Sequence, residues 1–112
     1  MAEEAKIIKV LGQVAPLATT NTNLYEVPAD TSAVVSTLVV ANRGAVAATM
    51  LIWVRVAGAT VEDKQQIMPS VPVAANDSTT LTLGITLGAT DIITVYAENA
   101  DFSVNLFGSE IS

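Results

Sequence analysis

Alternation of apolar and polar residues with a period of two is the feature that most constrains the fold of this chain. It is clearest in TLTLGITL, where Leu81, Leu83 and Ile85 alternate with threonines and a glycine. Successive side chains of a β-strand point to opposite faces, so this alternation predicts a strand with one buried face. The same period appears in residues 47–57, with the face of Met50, Ile52 and Val56 in the core, and again from residue 102 onwards.

Further strands are predicted at residues 5–14, 24–27, 33–42, 64–68 and 92–97, with turns at NRGA, GATD and ENAD. The strand at residues 64–68 is expected to end at Pro69 and Pro72, because proline donates no hydrogen bond to a sheet. Residues 33–42 are apolar on both faces, which favours a strand covered by the core on one side and by something else on the other.

These patterns predict an all-β fold, a single antiparallel β-sandwich with about seven or eight strands. We expect a jelly-roll-like arrangement, although periodicity does not specify strand order and an immunoglobulin-like order stays open. The 112 residues are enough for one domain, and residues 1–14 form either an N-terminal arm or an edge strand. Only 14% of residues are charged. The surface is therefore rich in Ser, Thr, Asn and Ala, and is either weakly solvated or covered by other subunits.

Charge and composition argue against several classes of function. The net charge is −6 and the five basic residues are scattered, which disfavours nucleic acid and anionic membranes as partners. No apolar run approaches the roughly 20 residues of a membrane span. The acidic start, MAEEAK, is unlike a signal peptide, so we expect synthesis in a cytoplasm without cleavage.

No combination of residues in the sequence suggests a catalyst. The chain has no Cys and no His, and it has no glycine-rich phosphate loop, so we expect no enzyme activity, cofactor or small-molecule substrate. Most carboxylates stand where turns are predicted, and turn formation is their simplest role. A Ca²⁺ site from ENAD and AND would need their loops to converge, and we expect no metal.

Two groups of residues are candidates for protein contacts. The N-terminal segment is strand-like and apolar on both faces, which suits the addition of a strand to a neighbouring subunit. Removing residues 2–11 is expected to abolish that contact while the sandwich stays folded. The second group, Trp53 and Arg55, shares one strand face and forms either a contact patch or an arginine stem packed on an aromatic ring within one subunit. The N-terminal segment comprises Lys6, Ile7, Ile8, Lys9, Val10 and Leu11.

Two stretches, LYEVPADTSAVVSTLVVANRGA and FSVNLFGSE, carry a resemblance that extends over residues 9–110. With these stretches and LTLGITLGATDII, the chain resembles small structural proteins of tailed bacteriophages, including cyanophages. The resemblance implies a virion protein without enzymatic activity, of the kind that decorates the head as a cement protein.

The resemblance also implies partners and a location. The partners would be the major capsid protein and further copies of this chain, most simply as a homotrimer. The location would be the head surface, after synthesis in the cytoplasm of the bacterial host. The alternative is a binding or adhesion module of the tail, neck or fibre, with its contact face in the loops at residues 42–47 and 98–101.

Overall fold

The computed structural model describes residues 6–112, and this part of the chain consists mainly of β-strands. The all-β prediction is confirmed. The predicted first strand began at Ala5, which lies outside the described residues. Within residues 6–112 no helix has the length and apolar character to cross a membrane. The strands are β1 (Lys6–Val14), β2 (Thr22–Glu26), β3 (Ser32–Asn42), β4 (Ala48–Arg55), β5 (Gln66–Val73), β6 (Asp77–Leu87), β7 (Ile92–Ala97) and β8 (Phe102–Ile111).

The strands form two four-stranded antiparallel sheets. One has the order β1-β8-β3-β6 and is called the β1 sheet here, and the other has the order β2-β7-β4-β5 and is called the β2 sheet. The first strand therefore pairs with the eighth, the second with the seventh, the third with the sixth and the fourth with the fifth. A long antiparallel hairpin wrapped into two facing sheets gives this order, which is that of a jelly roll. The predicted β-sandwich is confirmed, and its strand order is not the immunoglobulin one.

The core lies between the two sheets and is filled by the inward positions of all eight strands. Aliphatic side chains dominate it, with Phe102 as the largest side chain that is fully buried. The alternation in β8 and β4 places Val104, Leu106, Met50 and Ile52 inside, as the sequence predicts. The core also includes Leu11, Leu24, Tyr25, Val27, Ala33, Val35, Leu38, Val40, Ala48, Val71, Val73, Leu87, Ile93, Val95 and Ala97.

Two local predictions are wrong. Pro69 and Pro72 do not end a strand, because β5 continues through both to Val73. This is possible because β5 is an edge strand with an irregular register against β4, and an edge strand tolerates residues that cannot donate to a neighbour. Val56 is 66% exposed and not in the core. Its strand ends at Arg55, where a 3₁₀ turn begins and the chain leaves the sheet.

Candidate interaction surface

The outer face of the β1 sheet is apolar or uncharged over nearly its whole extent. In an antiparallel sheet, directly paired residues point to the same side, so the strand register identifies the outward positions. Among these positions, Lys6 is the only charged residue. The set, called the open face here, comprises Lys6, Ile8, Val10, Gln13, Ser32, Val34, Thr37, Val39, Ala41, Ser78, Thr80, Thr82, Thr86, Ser103, Asn105, Phe107, Ser109 and Ile111.

An apolar groove of about 510 Å³ crosses one end of the open face. Its walls include Ile8 and Val10 from β1, Val34 from β3 and Phe107 from β8. Lys6 and Lys9 also line it, together with small residues such as Ser109, which is buried. Ile8 is 82% exposed and Val34 is 37% exposed, so this end of the sheet presents large apolar side chains outwards. Such a patch is typical of a surface that contacts another macromolecule.

The half of β1 at residues 6–10 is a regular edge without proline or bulge, although it contains Lys6 and Lys9 and is no longer than β2. Exposed edges are normally protected by proline, by bulges or by shortness. β5 contains two prolines, β2 has only five residues, and β6 carries Gly84 with a positive φ of 61°. In β1, by contrast, residues 6–10 keep an unbroken register with β8 and contain no proline. This half-strand therefore offers a regular, largely apolar edge.

The predicted N-terminal contact segment lies within β1, and its last residue differs from the others. Residues 6–10 are exposed, but Leu11 is only 9% exposed and belongs to the core. The register shifts between Val10 and Gly12, and this bulge turns Leu11 inwards. Removal of residues 2–11 would therefore also take away a core side chain, so a truncation designed to spare the sandwich must stop before Leu11.

A small polar cluster joins β1, β2 and β8 beside this edge. The Tyr25 hydroxyl donates to Glu110 Oε2 at 2.5 Å, and Lys9 Nζ lies 3.3 Å from Glu110 Oε1. Burial, together with the hydrogen bond and the charge of Glu110, raises the pKa of the Tyr25 hydroxyl well above its usual range. The hydrogen bond from Tyr25, supported by Lys9, lowers the pKa of Glu110 although partial burial opposes this. The cluster connects the two sheets, and neither Tyr25 nor Glu110 was among the sequence-derived contact residues.

Trp53 and Arg55, the second predicted contact group, lie on the other sheet and do not adjoin β1. By register they occupy the outer face of the β2 sheet. Trp53 is nevertheless only 8% exposed and packs edge to face against Tyr96, with ring centroids 6.3 Å apart. A buried side chain offers little area to a partner, so the tryptophan has a clear role within its own subunit. A contact through this pair stays a prediction.

The guanidinium of Arg55 is held by four hydrogen bonds within the chain. Nε donates to the carbonyl oxygen of Ala59 at 2.7 Å and Nη2 to that of Gly58 at 3.0 Å. Nη1 donates to Asn23 Oδ1 at 3.1 Å and to Thr94 Oγ1 at 3.4 Å. The arginine therefore fixes the start of the segment between β4 and β5 against the outer face of the β2 sheet.

The loops considered for Ca²⁺ and for the adhesion alternative meet at one end of the sandwich. The backbone N–H of Arg43 donates to the carbonyl oxygen of Asp101 at 2.8 Å, and that of Asn76 donates to Gly44 at 3.0 Å. Arg43 Nη2 also donates to the carbonyl oxygen of Phe102 at 3.3 Å. Within residues 6–112, no three Asp, Glu, His or Cys side chains are grouped so that they could hold a metal ion.

The open face would have been difficult to identify from sequence, although signals for it exist. Val34 lies in the two-faced apolar run of β3, and Phe107 alternates with core residues in β8. Neither signal shows that these side chains come together with Ile8, which is distant in sequence, because only the β1-β8-β3 order does that.

Comparison with known proteins yields a similarity of fold. No protein-family model matches the sequence, and no curated protein matches it. Among solved structures, the chain is similar to a chain in the structure of infectious bursal disease virus, Gx strain, with a TM-score of 0.55 and 10% sequence identity. The match covers 98% of this chain and 32% of the viral chain, so this chain spans about a third of the length of the chain it matches. At this identity the likeness concerns the fold alone.

Proposed function

We propose that this chain is a non-enzymatic structural protein of a virus particle. In the more specific form of the proposal, it decorates the head of a tailed bacteriophage by binding the lattice of the major capsid protein. The observation that carries the proposal is the open face, which is nearly uncharged and which no described segment of the chain covers. The likeness in fold to a chain of a virus structure and the resemblance to phage proteins both agree with it.

The open face has the dimensions that a stable contact needs. β3, its longest strand, has eleven residues. At about 3.3 Å per residue, and with four strands about 4.8 Å apart, the face measures about 700 Å². A standard protein interface buries about 800 Å² on each partner. One such contact per copy would stabilise a shell by mass action, because the protein binds the assembled lattice and not its dissociated subunits.

The free edge of β1 supplies a second contact in this proposal. A neighbouring chain can add a strand to an exposed sheet edge, and residues 6–10 form an edge with an unbroken register and no proline. A contact between this edge and a different surface of the next copy is heterologous, and heterologous contacts close into rings when the rotation permits. The homotrimer that the resemblance implies is one such ring.

A pair of lysine substitutions tests which surface binds the particle. Val34→Lys places a charge in the apolar groove, and Val46→Lys places one at the loop end, where Val46 is 69% exposed. Both chains should fold, since both positions are already exposed to water. Each variant is added to particles prepared without this protein, and its occupancy is measured. Val34→Lys should lower that occupancy by at least about tenfold, because a charge would be buried without a partner. Val46→Lys should bind like the unaltered chain.

The reverse result would favour the alternative, a binding module of the tail, neck or fibre. Its support is the convergence of the loops at residues 42–47 and 98–101 beside the exposed Val46. Immunogold labelling of intact particles gives an independent decision. Labelling spread over the head supports decoration, labelling at the tail supports the alternative, and absence from particles would refute both.

A further inference from the structure

The two halves of β1 are attached to the sandwich in different ways. Beyond the bulge, Leu11 and Val14 pack against the core, and Gln13 Nε2 donates to Asn105 Oδ1 at 2.7 Å. Gly12 lies so close to the carbonyl oxygen of Leu24 that an added Cβ would be 2.3 Å from it, so this half packs directly against β2. Residues 6–10 contribute no side chain to the core.

The contacts of residues 6–10 are those of a replaceable segment. The segment is held by its pairing with β8 and by the ion pair from Lys9 to Glu110, in which the lysine side chain is 44% exposed and the glutamate side chain 15%. Strand ends with few buried contacts open at low free-energy cost. Opening at the bulge would leave Leu11 and the core undisturbed.

We propose that residues 6–10 exchange between copies, so that this segment of one chain pairs with β8 of a second copy. The site vacated on β8 fits residues 6–10 of a second copy, because the two copies have the same sequence. It retains the Glu110 carboxylate for Lys9, and it retains Val34 and Phe107 for Ile8 and Val10. Exchange of an identical element needs no new contacts and is a low-cost route to oligomers. Exchange does not require the proposed function, although a lattice would favour it by holding copies close together.

Directly paired positions on β1 and β8 allow a clean cross-linking test, because the chain has no cysteine. Ile8 pairs with Ser109 in the exchanging half, and Gln13 pairs with Asn105 in the anchored half. Paired residues in antiparallel strands have Cα atoms about 4.5–5.5 Å apart, a distance that a disulfide can span. An Ile8→Cys chain is mixed with a Ser109→Cys chain in a thiol–disulfide buffer, and mixed dimers are counted by intact mass.

We expect mixed dimers of the Ile8→Cys and Ser109→Cys chains to exceed those of the Gln13→Cys and Asn105→Cys control by at least about tenfold, since exchange raises the effective concentration of the two thiols. Mixed dimers no more abundant than in the control would overturn exchange. Circular dichroism and the urea midpoint of each chain confirm that it is folded. The measurement needs no virus particle. Its outcome is therefore independent of whether the proposed function is correct.

Discussion

The two sheets of this sandwich have the same number of strands but differ in how their outer faces are completed. On the β2 sheet, the segment after β4 is fastened by Arg55, and Trp53 is buried beside Tyr96. On the β1 sheet, Val34 and Ile8 remain exposed in a surface that is nearly uncharged. The chain thus buries its tryptophan on one outer face and leaves large apolar side chains exposed on the other.

Truncating one aromatic residue on each face tests the difference between the two faces with the largest expected effect. Trp53→Ala should lower the free energy of unfolding by about 3–5 kcal/mol, because it empties a buried site. Phe107→Ala should cost no more than about 1.5 kcal/mol, since Phe107 is only partly buried in the open groove. Urea unfolding of the two variants measures both. Equal losses would mean that the open face contributes to the packing of the isolated chain.

The polar cluster between the sheets should show as a dependence of stability on pH. The lowered pKa of Glu110 means that its contribution is present above the ordinary carboxyl pKa of about 4.3 and is lost as pH falls through the lowered value. The raised pKa of Tyr25 means that its contribution is present below about 10 and is lost as pH rises further. Tyr25→Phe should lower the free energy of unfolding by about 1–2 kcal/mol at pH 7. It should also weaken the loss of stability at both acidic and alkaline pH. Urea midpoints measured from pH 3 to 11 test this. A variant whose stability depends on pH as strongly as that of the unaltered chain would contradict it.

The cations of the two faces give a smaller contrast. Arg55→Ala should cost about 1–2 kcal/mol, because four hydrogen bonds to the chain are lost from a partly exposed group. Lys6→Ala should change stability by less than about 0.5 kcal/mol, as expected of an exposed side chain. Thermal unfolding of both variants at one pH provides the comparison. A loss of similar size at Lys6 would show that the open face is held by interactions of its own.

Much of the fold could be predicted from local pattern. The alternation in β6 and β8 placed those strands correctly, and NRGA marked the turn after β3. The errors have tertiary causes. Pro69 and Pro72 are accepted because β5 lies at an edge, and Val56 leaves the core because its strand is cut short by a 3₁₀ turn. An edge position and a neighbouring turn are properties of the assembled sheet, and periodicity does not contain them.

The candidate surface was only half visible in the sequence. The N-terminal segment and the two-faced run of β3 both indicated contact with another chain, but Trp53 was equally compatible with a contact patch, and the structure buries it.

By itself the sequence determined an all-β chain with a strand at its beginning, a predominantly uncharged surface and no obvious catalytic residues, because these follow from residue type and period two. Only the tertiary structure decided that Ile8, Val34 and Phe107 form one groove and that Leu11 lies in the core while residues 6–10 are exposed. The physical reason is that strand order and bulge position are set by packing between segments that are far apart in the chain.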